Sequence, residues 1–189
     1  MAKQSRVVDP AGRIRSARAI AALASPVRQE IIDTVELLGG SATIAELASQ
    51  LGRPADGFYY HVRKLVAVGL LQVSGGSPEV YRTPSRKNLA LDYEAAAAVR
   101  RVIAGMLRIA KRDFDAGFAH PAVVVRGARR SLWAGRGKGW VGPAELAEIN
   151  RLTTRIYDIL RRPRRAGARQ LVSFCHVVAP VADRPARRR

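Results

Sequence analysis

The residue types able to do chemistry in this 189-residue chain fall into a few groups. Cys175 and His176 are a nucleophile and a base, but they are adjacent. In a strand, neighbours point to opposite faces, so the two cannot act on one substrate atom. Cys175 reads instead as a small apolar residue. His61, His120 and His176 share no spacing with Cys175 that suits a metal. Gly135-Arg136-Gly137-Lys138-Gly139 looks like a phosphate loop only in outline. It lacks the spacing and the hydroxyl residue of a P-loop, and reads as a mobile loop or a nonspecific anion contact. Trp133 and Trp140 flank it and read as anchors of core or loop. No catalytic, metal or cofactor site is expected, and the chain is not read as an enzyme.

One group stands out. Between Pro54 and Val68 a helical wheel puts Phe58, Val62, Leu65 and Gly69 on one side. Asp56, Tyr60, Arg63 and Ala67 lie opposite, flanked by Tyr59 and Lys64. Such an outer face can enter the major groove of double-stranded DNA, which is wide enough for one α-helix. Arg63 suits a guanine edge or a phosphate, and Lys64 a phosphate. Tyr59 and Tyr60 can bond phosphate through their hydroxyls and touch thymine methyls. Asp56 could accept from a cytosine amino group, or it simply favours the positive end of its own helix. His61 lies on the boundary, as a packing residue or a phosphate contact. Arg53 before the helix and Arg82 beyond it complete the expected DNA-binding set.

Elements must hold that face in place. Ser25-Pro26 starts a helix, with Ser25 expected to cap its free amides. Val27, Ile31, Val35 and Leu38 form its apolar stripe, and Gly39-Gly40 ends it. Thr43 and Glu46 make a capping box for a short helix that closes at Gly52. The helix at 54–68 follows. Leu70 to Val73 and Glu79 to Thr83 read as the two strands of a hairpin around Gly75-Gly76-Ser77-Pro78. Two helices joined by a tight Gly turn and followed by a hairpin is the order of a winged helix-turn-helix.

The segments Ala24-Ser25-Pro26-Val27-Arg28, Ile44-Ala45-Glu46-Leu47-Ala48 and Tyr59-Tyr60-His61-Val62-Arg63-Lys64-Leu65, through Gly69-Leu70-Leu71, together resemble the DNA-binding domain of ArsR-type transcriptional regulators. The resemblance covers about residues 16–83. It implies that 54–68 is the recognition helix, that the hairpin is the wing, and that the protein is a homodimer, usually a repressor released by a ligand. Two departures stand out. The paired cysteines of metal-sensing members are missing, so metal sensing is not carried over. The wing tip 75–78 lacks basic residues, and Arg82 is the only cation on the hairpin.

The rest of the chain reads as follows. Residues 1–15 form a flexible arm and 16–90 the winged helix-turn-helix domain. Residues 91–180 form an α+β dimerisation or sensor domain, and 181–189 a basic tail. Within 91–180, a long helix over 93–114 has an apolar surface wide enough for burial on two sides, including against a second subunit. Strands are expected over 122–133 and 170–178, with a helix from Gly142-Pro143 to Leu160. The fold class is mainly α with small β.

Charge points the same way. Lys and Arg total 33 against 15 acids, a net +18, of which residues 84–189 carry +15. Such a field captures polyanions. Arg outnumbers Lys by 28 to 5, which suits bidentate recognition but also follows from a biased genomic composition. The expected partners are therefore double-stranded DNA and a second copy of the chain, with room for a small-molecule effector. The alternative is a nonspecific basic nucleic-acid-binding protein. One cysteine, no apolar leader and no run of 18 apolar residues point to the cytoplasm rather than a membrane.

Overall fold

In the computed structural model, residues 7–8, 13–84, 90–162, 164, 166–168 and 170–182 are described. The elements in chain order are β1 (Arg13–Ile14), α1 (Ala17–Ala22), α2 (Pro26–Leu37), β2 (Ser41–Ala42), α3 (Ile44–Leu51), α4 (Asp56–Ala67), β3 (Gln72–Ser74), β4 (Val80–Arg82), β5 (Ala90–Leu91), α5 (Ala96–Gly117) and α6 (Pro143–Leu160). The chain is mainly helical with small sheets.

One apolar core serves α1 to α5. Ile20, Ile31, Val35, Leu47, Phe58, Val62, Leu65, Leu70 and Leu71 are each at most 2% exposed. At about 25 cal/mol per Å² of buried apolar surface, this cluster is the main force holding α4 in place. The local signals work as their chemistry requires. Thr43 Oγ1 accepts from Glu46 N at 3.2 Å, while Thr43 N donates to Glu46 Oε2 at 2.7 Å, a complete capping box. Gly52 closes α3 with φ +62°, a left-handed value that favours glycine. Ser25 behaves differently from expectation. Its side chain makes no capping bond, and its carbonyl instead accepts from Arg28 N and Gln29 N. Pro26 at the helix start has no N–H to satisfy, which lessens the need for a side-chain cap.

β2, β4 and β3 form a three-stranded antiparallel sheet in that order, in register Ser41↔Arg82 and Gln72↔Arg82. The wing hairpin is thus backed by a strand from the α2–α3 connection. A second, two-stranded sheet pairs β1 with β5 in parallel. The arm expected over 1–15 is therefore anchored at its end: Ile14 is fully buried and Val8 nearly so. Ile14 lies three residues before α1 and joins the same apolar core, which outweighs the polar composition around it.

α5 lies across α1 and α2. Ala98, Val99 and Val102 bury there, and Gly105 faces the Gln29 amide. Gln29 Nε2 donates to the carbonyls of Leu23 at 2.7 Å and Val102 at 3.0 Å, tying α1, α2 and α5 together. One side of the wide apolar surface of α5 is thus taken up by its own domain. α6 forms where its Gly-Pro start predicted, but it has no buried residue. The segments 122–133 and 170–178, expected as strands, form none. A β-branched run becomes a strand only when a second backbone meets its N–H and C=O groups in a repeating ladder. Among the described residues the Val123–Val125 run has only the Val124 carbonyl met in this way, by Ser131 N and Leu132 N. Among the described residues, no helix is long and apolar enough to cross a membrane.

Candidate nucleic-acid interface

α4 owes its orientation to three residues. Phe58, Val62 and Leu65 recur at i, i+4 and i+7 and point into the core. The same spacing forces Tyr59, Tyr60, Arg63, Lys64 and Ala67 outward, and all five are exposed. Tyr60 is 60% exposed and Tyr59 45%. Such exposure is uncommon for rings that could have packed, and Tyr60 lines an open surface together with Arg63, Lys64 and Ala67. The Lys64 ammonium lies 5.5 Å from the Tyr60 ring centroid, and the His61 ring meets Tyr60 edge to face at 5.2 Å. The cation–π contact steadies Lys64 without neutralising it. Among the described residues, neither Arg63 nor Lys64 forms a salt bridge with a carboxylate. Both charges are open to phosphate or base edges.

The remaining expected contacts are placed unequally. Asp56 is exposed in the first turn of α4, where the helix dipole favours a carboxylate. His61 is half-buried. Its Nδ1 is buried without a hydrogen-bond partner among the described residues. Desolvation, then the nearby Arg28 charge, pushes its pKa below the usual histidine value, which keeps the ring neutral. Arg82 is exposed on the central strand of the wing sheet. Tyr81 beside it is 5% exposed and anchors the wing toward α4. Its hydroxyl donates to Glu79, and its pKa is pushed up to about 12, first by burial and then by that carboxylate.

Arg53 is the exception. Its guanidinium sits 3.0 Å from Glu30, whose side chain is 7% exposed. Arg112 of α5 holds the same carboxylate at 2.7 Å. Arg53 is thus a structural clamp on the turn leading into α4, with 38% of its side chain left exposed. Sequence spacing could not show this, because Glu30 and Arg112 lie 82 residues apart.

The other reactive groups stay apart from this face. His176 Nδ1 is 3.1 Å from the Tyr157 hydroxyl and stacks on Phe174, while burial raises the Cys175 thiol pKa. His120 Nδ1 accepts from Ala122 N at 3.2 Å.

No curated protein matches the chain. Residues 23–74, running from the end of α1 through β3, match a family model described as a helix-turn-helix domain. The capped α3, the Gly52 turn and the outward cationic face of α4 are therefore parts of a helix-turn-helix domain, the DNA-binding unit of a transcription regulator.

Proposed function

We propose that the chain is a sequence-specific transcription repressor of ArsR type, acting in the cytoplasm as a homodimer and carrying no catalytic activity or cofactor of its own. Two copies of α4 enter successive major grooves of a pseudo-palindromic site, about 34 Å apart. Arg63 reads a base edge, Lys64, Tyr59 and Tyr60 hold phosphates, and Asp56, His61 and Arg82 lie at the margin. The observation that carries this reading is the outer face of α4: two exposed tyrosines and two cations with no carboxylate partner among the described residues, on a helix pinned by Phe58, Val62 and Leu65.

The homodimer is supported by apolar surface that one copy leaves open. Leu107 on α5 and Leu146, Leu152 and Ile159 on α6 are 41–50% exposed. Large apolar side chains left exposed on two helices are candidates for burial against a second copy. A small-molecule effector bound in the C-terminal region would act by changing how two such copies hold their α4 helices. Selection from randomised duplexes tests the reading. It should enrich a two-fold-related site with half-sites one helical turn apart. Recovery of no common motif would leave the nonspecific alternative, which the +15 charge of residues 84–189 favours.

A further inference from the structure

The long connection between α5 and α6 holds a charge pattern that α4 does not use. From Ala116 to Ala144 there is no Asp or Glu, but there are five cations: Arg126, Arg129, Arg130, Arg136 and Lys138. All five are exposed. Elsewhere in the C-terminal half, cations are partly neutralised. Lys111 pairs with Asp115, Arg112 with Glu30 and Asp113, and Arg151 with Glu148. Among the described residues, none of the five loop cations has such a partner. An exposed Arg or Lys cluster without acids is self-repelling, so it gains most from a polyanion.

The first part of this connection has a definite shape. Ser131 N donates to Val124 O at 2.6 Å, and Val124 N donates to Ser131 Oγ at 3.1 Å. These two bonds close a loop at its neck. Gly127 turns at φ +77°, and Arg130 N donates to Gly127 O at 3.2 Å. Leu132 then seats against Gly117 at the end of α5, where a Cβ on that glycine would come within 2.8 Å of Leu132 Cδ1. The loop is thereby fixed to α5, with Arg126, Arg129 and Arg130 displayed on it. The Arg130 guanidinium lies 4.7 Å from the Trp133 ring centroid. That stacking orients the guanidinium plane while leaving its N–H edge open to a phosphate. Trp140, 89% exposed, follows Arg136 and Lys138.

We propose that residues 126–140 form a second nucleic-acid contact, which grips the phosphate backbone of the same duplex outside the site read by α4. This rests on the reading that the chain binds duplex DNA. The contact supplies affinity without base specificity, because exposed Arg and Lys on a glycine-rich stretch neutralise phosphates and release counterions.

The chain offers its own probe, since its two tryptophans, Trp133 and Trp140, both lie in this segment. The experiment titrates the full chain with a duplex of arbitrary sequence, roughly 30 base pairs or three helical turns long. It follows tryptophan fluorescence and the anisotropy of labelled DNA over a salt series. Three proteins are compared: wild type, R126Q/R129Q/R130Q/R136Q/K138Q, and R63A/K64A. Circular dichroism and thermal melts check that the variants keep the fold; the substituted side chains are exposed, so they should.

Wild type should show a fluorescence change that tracks the anisotropy, and R63A/K64A should keep that change. The loop variant should lose about 2 to 4 from the magnitude of the slope of log K against log salt, at about 0.9 per phosphate contact removed. An unchanged slope in the loop variant, or DNA binding with no tryptophan response, would overturn the contact. Tighter binding and stronger quenching with a single strand of the same length would overturn its assignment to duplex, since exposed tryptophans would then be stacking on bases. Absence of any duplex binding by wild type would instead sink the DNA-binding reading itself.

Discussion

The Glu30 clamp yields a quantitative test of what holds α4 in place. The carboxylate is 7% exposed at its side chain and meets two guanidiniums, Arg53 at 3.0 Å and Arg112 at 2.7 Å. The guanidiniums are 38% and 49% exposed, so either can return to water if released. Arg53→Ala or Arg112→Ala alone leaves Glu30 with one cation. Each should cost about 1 kcal/mol, the usual net contribution of one hydrogen bond, because the remaining guanidinium still compensates the buried carboxylate. The double variant leaves a buried carboxylate with no cation, which costs about 3–5 kcal/mol. The cycle should therefore be non-additive by roughly 1–3 kcal/mol. Urea unfolding of the four proteins at constant m-value measures it. A double variant whose loss equals the sum of the singles, within about 0.5 kcal/mol, would refute the shared carboxylate. The result bears on function, because Arg53 sits in the turn that aims α4 and Arg112 sits on α5.

Other outcomes follow from the same geometry. Thr43→Ala should cost about 1 kcal/mol in urea unfolding, the usual loss for an N-cap hydroxyl. The Glu46 pKa lies below its ordinary value, chiefly through the Thr43 backbone hydrogen bond, so the box stabilises above the ordinary carboxylate pKa and loses that contribution as pH falls through the lowered value. In Glu46→Ala, the part of acid destabilisation due to this box should vanish from the melting curve. The neutral state of His61 gives the matching sign for a base. Its folded pKa is lowered, so its contribution is present above about pH 6.5 and declines as pH falls, when the unfolded chain takes up the proton first. His61→Gln should make the loss of melting temperature between pH 7.5 and 5.5 shallower than in wild type, and an unchanged profile would show that the ring protonates freely in the fold. Sedimentation equilibrium should give a mass near twice the 20.6 kDa chain, and a monomeric mass at micromolar concentration would contradict the homodimer.

The helix-turn-helix was readable because its information is local. Thr43 with Glu46, Gly52, and the 58–62–65 spacing each act within one or two turns, so the sequence alone places α3 and the buried face of α4. Boundaries shifted by a residue or two where caps compete: the helix expected from Pro54 begins at Asp56, and the wing strands occupy 72–74 and 80–82 rather than 70–73 and 79–83. Long-range features were not legible. Nothing in the pattern around Arg53 announces Glu30, and nothing around Ile14 announces its pairing with β5. The failed strands at 122–133 and 170–178 show the same limit from the other side. Val123-Val124-Val125 has strand propensity, but propensity reports only a fit to a sheet that some other backbone must provide. Valines 124, 125, 172, 177 and 178 remain 40–57% exposed, consistent with an apolar surface meant for a neighbour. Of the basic connection, the sequence pattern singled out only Gly135 to Gly139, as a mobile loop or a nonspecific anion contact. The closed neck between Val124 and Ser131 emerges only once the chain is folded.

The central claim is that the outer face of α4 reads bases, and Arg63 is its sharpest probe. The measurement is the affinity of wild type and Arg63→Ala for a selected duplex and for a scrambled duplex of equal length and salt. A lost base contact should cost about 1–3 kcal/mol on the selected duplex, roughly 5- to 150-fold, and much less on the scrambled one. Equal losses on both would show that Arg63 only holds phosphate, and no loss on either would remove α4 from the reading of DNA.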